Sequence, residues 1–303
     1  MDGLISINGS ITSLNKATIS PLDRGFLFAD AIFEVIVAFH GKLLDLHNHL
    51  ERLRTSADLL KIPIPWSDEE LRFELNELVN QLSAPKLYLR LVVTRGEGLG
   101  LNADSNMQPN RYVYVMSAKR EPASTYELGI NLKRKNLPYT DRGLHAKTNN
   151  YLRSILAIQD VIKEGYDDVL WANSESEFTE ASTANIFFIG REGDLVEIAT
   201  PSSRSGLLNG ITKKRIQTLL THTKIANSEK TIFVDELARF DEAFLCSTVK
   251  GLVPINKIDR HQLHTCRKNS VFRKIERLYL TWLQSQIGIR VNWNTGLKIT
   301  TDE

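Results

Sequence analysis

Residues 118–127 read AKREPASTYE, a run of charge, small residues and one proline that continues no strand and opens no long helix. Regular hydrophobic patterning lies on both sides of it, so the break divides the chain into two blocks that must each find a core. A length of 303 residues agrees, since a domain takes about 100–200 residues. The expected organisation is a smaller first domain over 1–117, a linker over 118–127 and a larger second domain over 128–288. Residues 289–303 lack periodicity and are expected to form a flexible tail.

Local signals fill in both blocks. ISINGSITSL alternates apolar and polar residues around Asn8-Gly9, a dipeptide suited to the positive φ angles of a tight hairpin. AIFEVIVAF followed by His40-Gly41 and KLLDL predicts a second hairpin. From Leu46 the spacing turns helical, with Leu46, His49, Leu50, Leu53, Ala57 and Leu60 at three- and four-residue steps until Pro63 and Pro65. Ser67 and Glu70 form a capping box for a helix over DEELRFELNELVNQL. KLYLRLVVT and RYVYVMS read as buried strands, which makes the first block α+β.

Beyond the linker, LGINLKRKN is a strand, TNNYLRSILAIQDVIKEG a helix stopped by Gly165, and DDVLWAN a strand. TEASTANIFFIG and DLVEIAT are expected to pair through a turn at Gly190–Gly193, ahead of a helix over NGITKKRIQTLLTHT. TIFVDELARF reads as a shorter helix, EAFLCST as a strand and SVFRKIERLYLTWLQSQ as a late helix.

Several function classes drop out on composition. A formal charge of +2 over this length points neither to nucleic acid nor to an anionic membrane surface. No run approaches the roughly 20 apolar residues that span a bilayer, and the start shows no secretion signal, so a cytoplasmic protein is expected. Cys246 and Cys266 make neither a disulfide framework nor a zinc site, and the seven histidines show no metal spacing. There is no Gly-x-Ser-x-Gly elbow, and the glycines of TRGEGLGLN precede no dinucleotide-binding helix.

Chemistry concentrates in two segments. Lys147 stands in LHAKTNNYL at the mouth of an amphipathic helix, and Glu180 opens the apolar stretch TEASTANIFF. A lysine amine can form an imine with an aldehyde, and a carboxylate beside apolar structure needs a positive partner. Asn209-Gly210-Ile211-Thr212 starts a helix, where free backbone N–H groups and the positive dipole end suit an anion.

In this order the segments resemble the class IV, or fold type IV, pyridoxal-phosphate aminotransferases. That family includes branched-chain aminotransferases, D-amino acid aminotransferases and aminodeoxychorismate lyases. The resemblance runs over about residues 3–285. It implies an α+β, two-domain fold with a β-barrel-like second domain, and pyridoxal 5′-phosphate in the crevice between the domains. Lys147 would carry the Schiff base and move the proton between substrate Cα and cofactor C4′, while Glu180 would keep the ring nitrogen protonated. Arg52, from the His49-x-x-Arg52 pair, would bind the phosphate together with Ile211, Thr212 and Thr248. Lys213 stands where relatives carry arginine. Tyr151 would reach the cofactor's ring oxygen, while Asn185 and Cys246 are expected to be structural.

For the substrate, Tyr88 and Arg90 match a carboxylate-binding Tyr-x-Arg pair of branched-chain enzymes. Phe33 replaces the substrate-facing tyrosine of D-amino acid enzymes. Gly100 and Asn102 stand where those enzymes carry Arg-x-His. Val249 and Lys250 complete the implied pocket. The implied reaction is transamination between an amino acid, D- or L-branched-chain, and a 2-oxo acid. Glu34 favours it over the alternative, a lyase reaction releasing pyruvate and p-aminobenzoate. A homodimer is implied by the resemblance alone.

Overall fold

The computed structural model describes residues 3–102, 107–139, 145–193, 195–223 and 225–299. The chain forms two compact units. One comprises the chain through Arg120, with Ala146–Tyr151 and the residues from Thr295; the other comprises Glu121–His145 and Leu152–Asn294.

The first unit contains β1 (Gly3–Ile7), β2 (Ser10–Ser13), α1 (Arg24–Phe28), β3 (Ala31–Phe39), β4 (Lys42–Leu43), α2 (Leu46–Leu60), α3 (Asp68–Asn80), β5 (Lys86–Thr94) and β6 (Asn110–Ser117). Its six strands make one antiparallel sheet in the order β2-β1-β6-β5-β3-β4. Asn8 (φ 52°) and Gly9 (φ 93°) turn the first hairpin, and His40 (φ 47°) and Gly41 (φ 81°) the second, as the dipeptides predict. The Ser67–Glu70 capping box starts α3.

Alternation along the strands gives this sheet two different faces. Ile32, Ile36 and Ala38 of β3 and Leu87, Leu89, Leu91 and Val93 of β5 meet Leu50 and Leu53 of α2 and Leu71, Leu75 and Leu78 of α3. Phe33, Val92 and Tyr112 point the other way, with Ile5 and Ala31. Because β3 is buried on both faces, its sequence reads, Glu34 apart, as a continuous hydrophobic run rather than an alternating one.

The second unit contains α4 (Ser124–Glu127), β7 (Ile130–Asn136), α5 (Leu152–Lys163), β8 (Asp168–Ala172), β9 (Phe178–Ala181), β10 (Asn185–Glu192), β11 (Leu195–Pro201), α6 (Ile211–Thr221), β12 (Ala226–Lys230), β13 (Phe240–Ser247), β14 (Gly251–Ile258), β15 (His261–Gln262) and α7 (Val271–Ile287). Its strands form a mixed sheet, β12-β11-β10-β13-β14-β7-β8-β9 with β15 on β14, that curls into a half-barrel. The β7–β8 and β11–β12 pairs are parallel, and α5 and α6 supply their crossovers. On one face Phe178, Phe188, Phe240, Leu245 and Ile255 form the core. On the other, Phe187 stacks on Phe244 at 5.1 Å, and Phe244 meets Phe272 of α7 at 5.3 Å.

Several elements depart from the sequence reading. TEASTANIFF breaks into β9 and β10, because Ala181 N–H donates to Ala184 C=O and closes a turn. β14 forms despite Pro254, which lies opposite Phe244 and simply lacks a ladder donor. TIFVDELARF gives a six-residue 3₁₀ turn, Val234–Arg239, rather than an α-helix. Residues 289–299 carry Val291 and Trp293, both buried in spite of the absent periodicity.

Candidate active site

In the first unit the groups gather around β3. Residues 146–151 pass along its edge: Phe33 N–H donates to Lys147 C=O at 2.9 Å, and Thr148 bridges Ile32. Lys147 is thus held in extended backbone, five residues before α5 begins. Its own N–H donates to Ser56 Oγ at 3.2 Å. Ser56 lies one turn beyond Arg52 on the same face of α2, so Lys147 backbone is anchored to the helix that bears Arg52.

The Lys147 side chain reaches the outer face of the sheet, where its Nζ is 4.5 Å from the centroid of the Phe33 ring. Arg90 Cζ is 3.9 Å from the same centroid, and the Tyr151 ring packs on Phe33 at 5.8 Å. Two cations therefore share one aromatic ring, each inside the range of a cation–π attraction. Arg90 sits opposite Val35 and donates from Nη2 to Asn149 Oδ1 at 2.8 Å, which ties β5 to the lysine segment. Tyr88, two residues before Arg90, occupies the same face and is half-buried.

On the helix-covered face Glu34 is fully buried. Its carboxylate accepts from His49 Nδ1 at 2.7 Å and from Arg52 Nε and Nη2, each at 2.7 Å. Burial works against the charge, but the Arg52 guanidinium and these hydrogen bonds hold the carboxyl down at about 2. Burial pushes His49 below its usual value, so the imidazole is neutral and donates through Nδ1. The sequence signalled Arg52 and His49 through the helix, but nothing in it announced Glu34 as their partner.

In the second unit the turn between β9 and β10 brings Glu180 to Asn185. Glu180 Oε2 accepts from Asn185 Nδ2 at 3.1 Å, and Oε1 from Leu208 N–H at 3.2 Å. Asn185 also donates to Leu208 C=O at 2.9 Å, so it ties the carboxylate to the loop that leads into α6. Gly210 caps α6, whose N-terminus has no side-chain cap. A Cβ at Gly210 would lie 1.8 Å from Asn185 Oδ1, so the approach requires glycine. Ile211 and Thr212 are buried in the first turn, and buried Lys213 has its Nζ 3.3 Å from Glu229.

Thr248, Val249 and Lys250 form the turn between β13 and β14. Trp293 Nε1 donates to Val249 C=O at 3.2 Å, and its indole occupies the space a Cβ on Gly251 would need. Tyr126 hydroxyl donates to Lys250 C=O, and Lys250 Nζ is 3.6 Å from Glu121. Cys246 lies opposite Asn185, buried, and burial pushes its thiol up. It is a packed side chain with no thiolate character.

Taken unit by unit, the first offers an amine and a guanidinium, which suit an aldehyde and an anion, and the second offers an uncapped helix N-terminus and a carboxylate, which suit an anion and a basic nitrogen. The amino-acid sequence over residues 31–258 matches the family described as amino-transferase class IV. The chain belongs to that family. This aminotransferase is 27% identical to the branched-chain-amino-acid aminotransferase of Pseudomonas aeruginosa, over 98% of both chains. It is 28% identical to the D-alanine aminotransferase of Staphylococcus haemolyticus, over 93% of this chain and 98% of that one. Its fold is similar to that of the branched-chain amino acid aminotransferase of Escherichia coli, with a TM-score of 0.85 and 20% identity over 100% of this chain and 98% of that one. Class IV aminotransferases are pyridoxal-phosphate enzymes. Among the described residues the aminotransferase has no helix long and apolar enough to cross a membrane.

Proposed function

We propose that this aminotransferase binds pyridoxal 5′-phosphate and exchanges amino groups between branched-chain L-amino acids and 2-oxo acids. The observation that carries the reading is the shared ring of Phe33, with Lys147 Nζ at 4.5 Å and Arg90 Cζ at 3.9 Å. An α-amino acid presents its reacting nitrogen and its carboxylate within a few ångströms of each other. A reactive amine and a carboxylate-binding guanidinium on one ring match that spacing.

When bound, the cofactor supplies an aldehyde for amine exchange and a ring that accepts electron density. Lys147 takes the proton from substrate Cα and returns it, a role that needs the neutral amine. Glu180, its two oxygens on Asn185 and Leu208, holds a proton on the ring nitrogen. Arg52, the backbone N–H groups of Ile211 and Thr212, and the Thr248 hydroxyl receive the phosphate. Tyr151 donates to the ring oxygen. Tyr88 and Arg90 hold the substrate carboxylate, and Phe33, Val249 and Lys250 border its side chain.

Two further inferences accompany this reading. A homodimer is supported by exposed apolar side chains, among them Phe26 (66% exposed), Leu99 (73%) and Leu101 (82%). A cytoplasmic location is supported by the two free cysteines.

One plate tests the reaction. The purified protein is loaded with pyridoxal phosphate and given L-leucine, L-isoleucine, L-valine, D-alanine or an (R)-amine while the cofactor's visible absorption is followed. Response to the branched-chain L-amino acids alone is expected. Response to D-alanine alone would reassign the substrate. Release of p-aminobenzoate from a chorismate-derived substrate would make the protein a lyase.

A further inference from the structure

Glu34 presents a physical problem that the catalytic scheme leaves open. Its carboxylate is fully buried on the sheet face that also carries Ile32 and Ile36. An apolar residue of similar size would pack there without desolvating a charge, and buried ion pairs are frequently no more stabilising than such replacements. Stability alone therefore gives little reason for the group.

Geometry supplies one. The two Glu34 oxygens take Arg52 Nε (to Oε1) and Nη2 (to Oε2), each at 2.7 Å, which is a two-pronged contact. Such a contact fixes the plane of a guanidinium as well as its position, which a single hydrogen bond cannot do. Glu34 is itself held by the backbone of β3 and by His49 Nδ1 at 2.7 Å. His49 and Arg52 lie one turn apart on α2, so the clamp closes between one strand and one helix. The charges matter as well. With His49 neutral, Glu34 cancels the Arg52 charge, and what the pair offers an anion is direction more than net positive charge.

We propose that Glu34 is a positioning residue for the cofactor phosphate. It orients the Arg52 guanidinium from behind and does not itself touch the cofactor. This rests on the reading of Arg52 as a phosphate ligand. It also gives the Lys147–Ser56 hydrogen bond a purpose, because α2 then fixes the phosphate-binding group and the reactive lysine from one rigid element.

The test compares two ligands that differ only in the phosphate. Full-length protein freed of cofactor is titrated with pyridoxal phosphate and with pyridoxal, and the ratio of the two Kd values measures what the phosphate contributes. Arg52→Ala should collapse that ratio. Glu34→Gln should lower it at least tenfold with pyridoxal affinity unchanged, and Glu34→Asp should lower it by less. Glu34→Gln combined with Arg52→Ala should match Arg52→Ala alone, since the glutamate acts only through the arginine.

A wild-type ratio in Glu34→Gln would overturn the proposal while leaving Arg52 in its role. So would equal weakening of both ligands, or a further loss on top of Arg52→Ala. If Arg52→Ala kept the preference for phosphate, the underlying reading would fail and the proposal with it. Circular dichroism checks folding, and Glu34→Asp carries the test if Glu34→Gln does not fold. Failure of both to fold would assign Glu34 to the core alone and refute the positioning role.

Discussion

Replacing Gly210 by alanine should damage the second unit through Asn185. The backbone at Gly210 (φ −70°, ψ 135°) suits alanine, so no cost comes from the main chain. The cost comes from the methyl group, which would stand 1.8 Å from Asn185 Oδ1 and 3.0 Å from its Cγ. Moving the amide breaks its bonds to Glu180 (3.1 Å) and Leu208 (2.9 Å). A hydrogen bond to a charged group is worth about 1.5–3 kcal/mol and a neutral one about 0.5–1.5, so the expected loss is about 2–4 kcal/mol. For a unit of this size that lowers the melting temperature by roughly 5–15 °C. Asn185→Ala should cost a similar amount, since it removes the same bonds. The decisive variant is the double mutant, in which the methyl meets no amide. It should fall within about 1 kcal/mol of Asn185→Ala, the remainder reflecting alanine's weakness as a helix cap. Urea denaturation of the four proteins measures this cycle. Losses that simply add would show that Asn185 is not the obstruction.

Three further outcomes are expected. Lys147→Ala should stop amino-group exchange and bind the cofactor without a covalent bond, with an unchanged far-ultraviolet spectrum; wild-type turnover would remove the lysine from the mechanism. Glu180→Gln should slow turnover with little change in cofactor affinity, read as a fall in kcat at constant Kd. Glu34, held at about 2 in the fold against 4.5 when unperturbed, stabilises the protein fully above pH 4.5, and that contribution is lost as pH falls toward 2. Of roughly 3 kcal/mol, about 2 should be gone by pH 3, so the stability gap between wild type and Glu34→Gln should narrow by that amount from pH 6 to pH 3 in urea titrations.

Local chemistry explains what could be read from the sequence. The Asn8-Gly9 turn, the Ser67–Glu70 capping box and the apolar spacing of Leu46, Leu50 and Leu53 each act over a few residues, and each formed as expected. Lys147, Arg52 and Glu180 were legible as candidates because short motifs surround them. Partners were not. The bonds from Arg52 to Glu34, from Arg90 to Asn149 and from Trp293 to Val249 join residues 18, 59 and 44 positions apart, and no local pattern encodes them. Residues 182–184 hid a turn inside an apolar run, and Pro254 masked a strand whose neighbours supply its register.

The strand-like segment Ala146–Tyr151 has a consequence for synthesis on the ribosome. It belongs to the first unit, yet 25 residues separate it from Arg120, and the His40 imidazole is tied to the far later Gly296 C=O at 2.8 Å. A nascent chain that has delivered β1 through β6 therefore still lacks the segment that lines β3, and lacks the closing contact at His40. Until those residues emerge, the β3 edge presents open N–H and C=O groups, a template for pairing with another chain. Vectorial folding of the first unit must wait for Ala146–Tyr151 and for Gly296, and fragments ending near residue 120 should aggregate where a chain that carries those residues does not.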